Sequence, residues 1–237
     1  MIFGCHFDRN RVHDLAAVAC RGRLVAAATV LSALACAGPS AAASVGGGAY
    51  GISANVNAVL APVSVGAAPA VTLPAEGGGP FTESLLSANL AGLLPVRLAE
   101  VRTEGNSARG SASSSATALN ASVAGVVAVS AARSRCSASS TSAQAAASVA
   151  DLVVAGIPIS TVDAGPNTTI SLPVGRVVLN EQRLSGASDI SVSAVHVILS
   201  AAVVTGDVVI AHSRCSVRPS ARTRAKKLRR ARSTRRA

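Results

Sequence analysis

Few side chains in this sequence can do acid–base or nucleophilic chemistry. The 237 residues include four histidines, five cysteines and one tyrosine, and no tryptophan. Beyond residue 43, only His196 and His212 remain of the histidines, and only Cys136 and Cys215 of the cysteines. A hydrolase needs a nucleophile beside a base, with a third group to hold that base. The chain contains no G-x-S-x-G, no H-E-x-x-H and no S-x-x-K. His196 alternates with Ile190, Val192, Ala194 and Ile198, which assigns it to an apolar strand face as a core residue. Asp207 stands five residues before His212, in opposite strand parity, so the two are expected on opposite faces. Serine is common enough that a Ser-His-Asp set can be assembled almost anywhere. A secreted hydrolase with His196 or His212 as base is therefore only a third choice.

The two cysteines read more sharply. Cys136 and Cys215 each close a run ending in Ser-Arg-Cys. An even pair in an exported chain is expected to form one disulfide, here between the ends of two similar strands. A metal site would need a C-x-x-C or clustered histidines, and neither is present. No metal and no cofactor is expected. Gly46-Gly47-Gly48-Ala49-Tyr50-Gly51 fits the dinucleotide fingerprint in letters only. No strand precedes it and no helix follows, so the glycines are expected to form a flexible mature N-terminus. Leu73-Pro74-Ala75-Glu76-Gly77 resembles a sorting signal but sits mid-chain, and reads as a surface turn. Past the leader the only aromatic residues are Tyr50 and Phe81, which argues against sugar and single-stranded nucleic-acid sites built on ring platforms.

The net charge of +11 is unevenly spread. Residues 44–215 hold eight arginines against nine acids, whereas residues 216–237 hold ten basic groups and no acid. The tail repels itself and is expected to be disordered, with no apolar face for a membrane. Arg222, Arg224, Lys226, Lys227, Arg229, Arg230, Arg232, Arg235 and Arg236 would attract wall polymers, anionic lipids or extracellular DNA by counterion release, without reading a nucleic-acid sequence.

The elements that must carry these residues are strands. Leu24–Ala37 is a short apolar stretch preceded by Arg21 and Arg23 and followed by Ala41-Ala42-Ala43, the layout of a secretory signal peptide cut after Ala43. Leu34 lies two residues before Cys36, not three, so the lipoprotein spacing fails. Asp8 and Asp14 are unusual in a leader, and translation is expected to start further in. No later stretch is long and apolar enough to span a bilayer as a helix. Tyr50, Ile52, Ala54 and Val56 alternate with Gly51, Ser53 and Asn55 as a half-buried strand. Similar runs follow at 59–65, 70–73, 96–103, 123–133, 152–159, 168–172, 176–180, 190–199 and 207–215, separated by Gly, Pro and Asn turns. The Ser/Ala-rich stretches 107–122 and 134–148 read as strands of small side chains. The expected layout is a leader (1–43), one all-β domain (44–217; a β-sandwich or open barrel of short strands) and a basic tail (218–237).

The pieces Glu83–Asn89, Arg133-Ser-Arg-Cys136, Pro166–Ile170, Val177–Gln182, Ala194–Val197 and Gly206–Ile210 with Cys215 resemble the choice-of-anchor P family, exported actinobacterial surface proteins. The resemblance implies a secreted, mostly β domain of no established enzymatic activity, normally fixed to the envelope by a C-terminal anchor. No sorting motif or apolar span follows Cys215. The expected function is that of an exported, non-enzymatic structural or adhesive protein of the cell surface or medium. Polyanion binding through the tail is the alternative.

Overall fold

The computed structural model describes residues 42–58, 62–90, 94–123, 127–159, 164–202 and 204–219. The expected leader, apart from Ala42 and Ala43, and the tail from residue 220 lie outside the described residues.

The described residues are all-β, with thirteen strands among them: β1 (Ser44–Ala58), β2 (Pro62–Leu73), β3 (Gly77–Leu90), β4 (Leu94–Asn106), β5 (Ser111–Val123), β6 (Val127–Ser139), β7 (Ala143–Ala150), β8 (Leu152–Val154), β9 (Ile157–Ile159), β10 (Thr168–Leu172), β11 (Gly175–Leu184), β12 (Asp189–Ala201) and β13 (Val204–Arg218). They form two open antiparallel sheets. The first runs β10-β11-β12-β13-β1-β2; the second runs β3-β4-β5-β6-β8-β9, with β7 also paired to β6. Of the described strands, β1 and β2 lie in the first sheet, β3 to β9 build the second, and the path returns to the first at β10. The first and last described strands, β1 and β13, pair inside the first sheet, with Ser44 opposite Arg218 and Ala58 opposite Val204.

Small side chains let the sheets share a core. Alanines and valines of both sheets are buried together, among them Ala54, Val56, Ala99, Val101, Ala116, Ala118, Val197 and Val208. At Gly47 the approach leaves no room for a Cβ, which would stand 2.8 Å from Thr103 Oγ1 and 2.9 Å from Ser114 Oγ. Those two hydroxyls bond each other at 2.8 Å. The expected disulfide joins the sheets: Cys136 on β6 and Cys215 on β13 are bonded, with Cα atoms 5.9 Å apart. One step along both strands, Ser134 Oγ and Ser213 Oγ lie 2.7 Å apart and buried. The Ser-Arg-Cys repeat is thus a paired hydroxyl and cystine clamp, with each arginine turned outward and exposed.

Several expectations need correction. Most strands are not short; β1 and β13 have 15 residues each, and only β8, β9 and β10 are as short as three to five. The glycines 46–48 are not a flexible terminus but part of β1, all three paired with β13 and Gly47 and Gly48 also with β2. Gly66–Pro69 lies inside β2, and Thr205–Asp207 inside β13, so neither is a turn. β3 was not foreseen at all. It forms the outer edge of the second sheet, with Phe81 and Leu86 exposed. Both its faces meet solvent over most of its length, so no alternation marks it. The Ser/Ala stretches do form strands, as β5, the end of β6, and β7.

Candidate functional site

A slip in strand alternation gathers the chemistry-bearing side chains on the outer face of the first sheet. On β12 the core-facing residues are Ile190 and Val192, then Val195, Val197 and Leu199. On β13 they are Val208 and Ile210, then Ser213, Cys215 and Val217. On β1 they are Val45 and Ala49, then Ile52, Ala54 and Val56. Each strand carries one extra residue at the same level: Ala194, Ala211 and Gly51, with Asn180 in line on β11. The flanking pairs fix that row, since Val195 faces Leu179 and Ile210, while Ser193 faces Glu181 and His212. Tyr50 faces His212 and Ile52 faces Ile210. Asn180 and Ala211 take φ of 50° and 52°, the left-handed conformation that absorbs the extra residue.

Outward side chains normally repeat about 7 Å apart along a strand; across this row they stand three residues, or about 10 Å, apart. A cleft of about 190 Å³ opens there. Glu181, Ser193, His212 and Tyr50 line it from one side of the row, and His196 and Val209 from the other. Glu181 Oε2 is 2.7 Å from His196 Nδ1, and Glu181 Oε1 accepts from Arg183 at 2.7 and 3.1 Å. Burial opposes the Glu181 charge, but the Arg183 hydrogen bonds and the imidazole outweigh it and hold the carboxyl below its usual range. Ser193 Oγ lies 3.0 Å from His212 Nδ1. The His212 ring stacks on Tyr50, with centroids 4.6 Å apart. Burial pushes His212 down to about 4 against the pull of Glu181. Burial, then the charges of Asp207 and Glu181, push Tyr50 up to about 12. At neutral pH the site holds a neutral imidazole, a protonated phenol and an ionised carboxylate.

The slip overturns three parity expectations. His196 is not on the apolar face; it points outward to Glu181. Asp207 and His212 are not on opposite faces; both line the cleft. Tyr50 does not share a face with Ile52, which is fully buried, while Tyr50 stacks outside on His212. Glu181 and Ser193 were missed, because strand pairing, not sequence proximity, brings them to the histidines.

The hydrolytic parts are divided between two rings. The carboxylate holds His196, whereas the hydroxyl bonds His212, through the Nδ1 nitrogen. A nucleophile relay needs both on one imidazole. Among the described residues, no group of three His, Cys, Asp or Glu could hold a metal ion.

Beside the cleft, and sharing Tyr50 and His212 with it, a shallow trough of about 550 Å³ runs over β1 between β2 and β13. The nine basic residues singled out from Arg222 to Arg236 lie outside the described residues. No family model matches this chain, and neither a curated protein nor a solved structure does.

Proposed function

We propose that this chain is an exported, non-enzymatic β protein of the cell surface or surrounding medium, with a structural or adhesive role. The Cys136–Cys215 link between the two sheets is the observation that carries the reading. A cystine stapling a core of small side chains belongs to an oxidising compartment. The leader-like segment before Ser44 points the same way. The division of carboxylate and hydroxyl between two histidines favours binding over hydrolysis. The resemblance to the choice-of-anchor P proteins agrees with such a role, and membership of that family is part of the proposal.

Fractionation of the native host into cytoplasm, membrane, wall and medium tests it, with thiol labelling of unreduced protein. The expected result is recovery outside the cytoplasm with both sulfurs unlabelled. Labelling at Cys136 and Cys215, or an uncut leader in living cells, would overturn it.

Polyanion binding by the tail stands as a second reading, favoured by its ten basic groups with no acid. Heparin retention of the full chain and of a chain ending at Val217 tests that reading. Equal elution would remove it.

A further inference from the structure

The trough over β1 is built differently from the cleft beside it. Its floor holds three successive glycines in a strand paired on both sides. A glycine in an element interior costs about 0.5–1 kcal/mol against alanine, so each needs a reason. Gly47 has one, because it faces the second sheet at close approach. Gly46 and Gly48 face outward, and neither has a positive φ. A Cβ on Gly48 would meet the Val71 carbonyl oxygen at 3.2 Å, so that backbone would have to give by a few tenths of an ångström. A Cβ on Gly46 would meet the Ser216 side chain, a rotatable hydroxyl. At neither position does backbone stand within 3.0 Å of the added Cβ, so packing demands glycine less there than at Gly51, where Pro69 and Ala99 crowd it. Their missing side chains leave a furrow between Ala70 and Thr72 on β2 and Arg214, Ser216 and Arg218 on β13. Strand glycines of this kind mark places where another chain approaches the backbone closely.

The charge of the furrow is one-sided. Among the described residues, Arg214 and Arg218 line it and no carboxylate does. Asp189 holds Arg214 at 3.0 Å, but from β12, across β13 from the furrow. The two arginines lie four residues apart on one strand, about 14 Å along it. At the other end the Tyr50–His212 pair forms a wall, and beyond that wall Glu181 and Asp207 line the neighbouring cleft. The sign of the surface changes at the ring pair.

We propose that the furrow binds an extended phosphate-bearing polymer without bases, laid along β1 with its phosphates on Arg214 and Arg218. A guanidinium forks onto phosphate oxygens with two hydrogen bonds. Ser44, Thr72 and Ser216 supply hydroxyl donors along the path. The furrow's two rings, Tyr50 and His212, are stacked on each other at its end, so no ring stands free along the path for a base or a sugar face. Binding is thereby assigned to the folded domain rather than the tail. The proposal gives the adhesive reading a ligand, yet it is tested on purified protein, so its failure and a failure of export are read separately.

The chain has one tyrosine and no tryptophan, so its tyrosine fluorescence reports Tyr50 alone. The full-length protein, tail included, is titrated with long-chain polyphosphate in 0.3 M NaCl, which screens the tail. Polygalacturonate serves as the carboxylate control. Saturable change of the Tyr50 signal by polyphosphate is expected. Ala70 is exposed on β2, opposite Tyr50, and lines the furrow, so its charge variants leave the core untouched. Ala70→Glu is expected to weaken binding at least tenfold, and Ala70→Lys to bind as tightly or more tightly. Gly48→Val, which fills the floor, is expected to match Ala70→Glu, with unreactive cysteines as the folding control. Absence of a saturable signal overturns the proposal. So does unchanged affinity in Ala70→Glu, or equal affinity for polygalacturonate.

Discussion

His212 makes the stability of the fold depend on pH in a window where few other groups act. Its pKa falls from 6.5 in the open chain to about 4 in the folded one, chiefly because burial disfavours the imidazolium. Between those values the unfolded chain binds the extra proton and the folded chain does not. Stability is therefore full above pH 6.5, falls as the pH drops below it, and levels off below about 4. Each pH unit inside the window costs about 1.4 kcal/mol, and the whole window about 3 kcal/mol. That is a large share of the roughly 5–15 kcal/mol that holds a domain together. Urea unfolding followed by Tyr50 fluorescence measures it cleanly, as no other fluorophore competes. From pH 7.5 to 5.0 the parent should lose about 2 kcal/mol. The lowered carboxyl of Glu181 acts only below its ordinary 4.5, outside this range. His212→Phe keeps a ring on Tyr50 but cannot titrate. Its absolute stability drops, because buried Ser193 loses its partner, but its slope between pH 7.5 and 5.0 should flatten. An equal slope in parent and variant would refute the argument.

Three further outcomes are expected. Reducing the Cys136–Cys215 bond, or replacing both by alanine, should cost about 4 kcal/mol in urea unfolding, from the loop of 79 residues it closes; under about 1 kcal/mol would mean the sheets hold without it. Ultraviolet titration of the phenol should give a midpoint near 12; ionisation near 10 would place Tyr50 in solvent. Deleting Ala211 shortens β13 while β1 and β12 keep their extra residues, which moves Cys215 about 3.4 Å along the sheet. The deletion should leave both thiols open to labelling, whereas Ala211→Gly should keep the cystine. An intact cystine in the deletion would show that the slip is not shared across strands.

The fold was legible where one face is dry. β12 and β13 can be located as strands from their β-branched runs, though not the faces of His196 and His212, the turn at Ser185-Gly186 can be read directly, and the matching Ser-Arg-Cys runs led to the disulfide. Legibility failed where glycine and proline sit inside strands. Gly66–Pro69 in β2 and Gly46–Gly48 in β1 look like loops by composition, yet Gly46–Gly48 pair with β13, and Gly66–Pro69 stays in β2 across an irregularity in its pairing with β1, where Ala68 faces Ile52. β3 opens with three glycines and Pro80, and Phe81 and Leu86 face water, so neither propensity nor period betrays it. The cleft was illegible for a different reason. Its bonded pairs, Glu181 with His196 and Ser193 with His212, span 15 and 19 residues and meet only through strand pairing. Their faces also depend on one skipped residue per strand.

That skipped residue was implied by the disulfide itself. Val208 and Ile210 face the core, so strict alternation along β13 would carry His212 and Arg214 inward and turn Cys215 outward. Likewise Val127 and Val129 are buried on β6, and strict alternation would turn Cys136 outward. A cystine between the sheets is compatible with those buried valines only if each strand gains one residue before its cysteine. β13 gains it at Ala211. On β6 the core-facing residues change phase between Val129 and Ala132, and Asn120, in the left-handed region at φ 47°, does the same on β5. The slip that turns Cys215 inward also turns His212 outward onto Tyr50 and opens the cleft. The covalent clamp and the candidate site are therefore two consequences of one insertion, and a chain that kept the valines buried and the cystine formed could not avoid displaying His212.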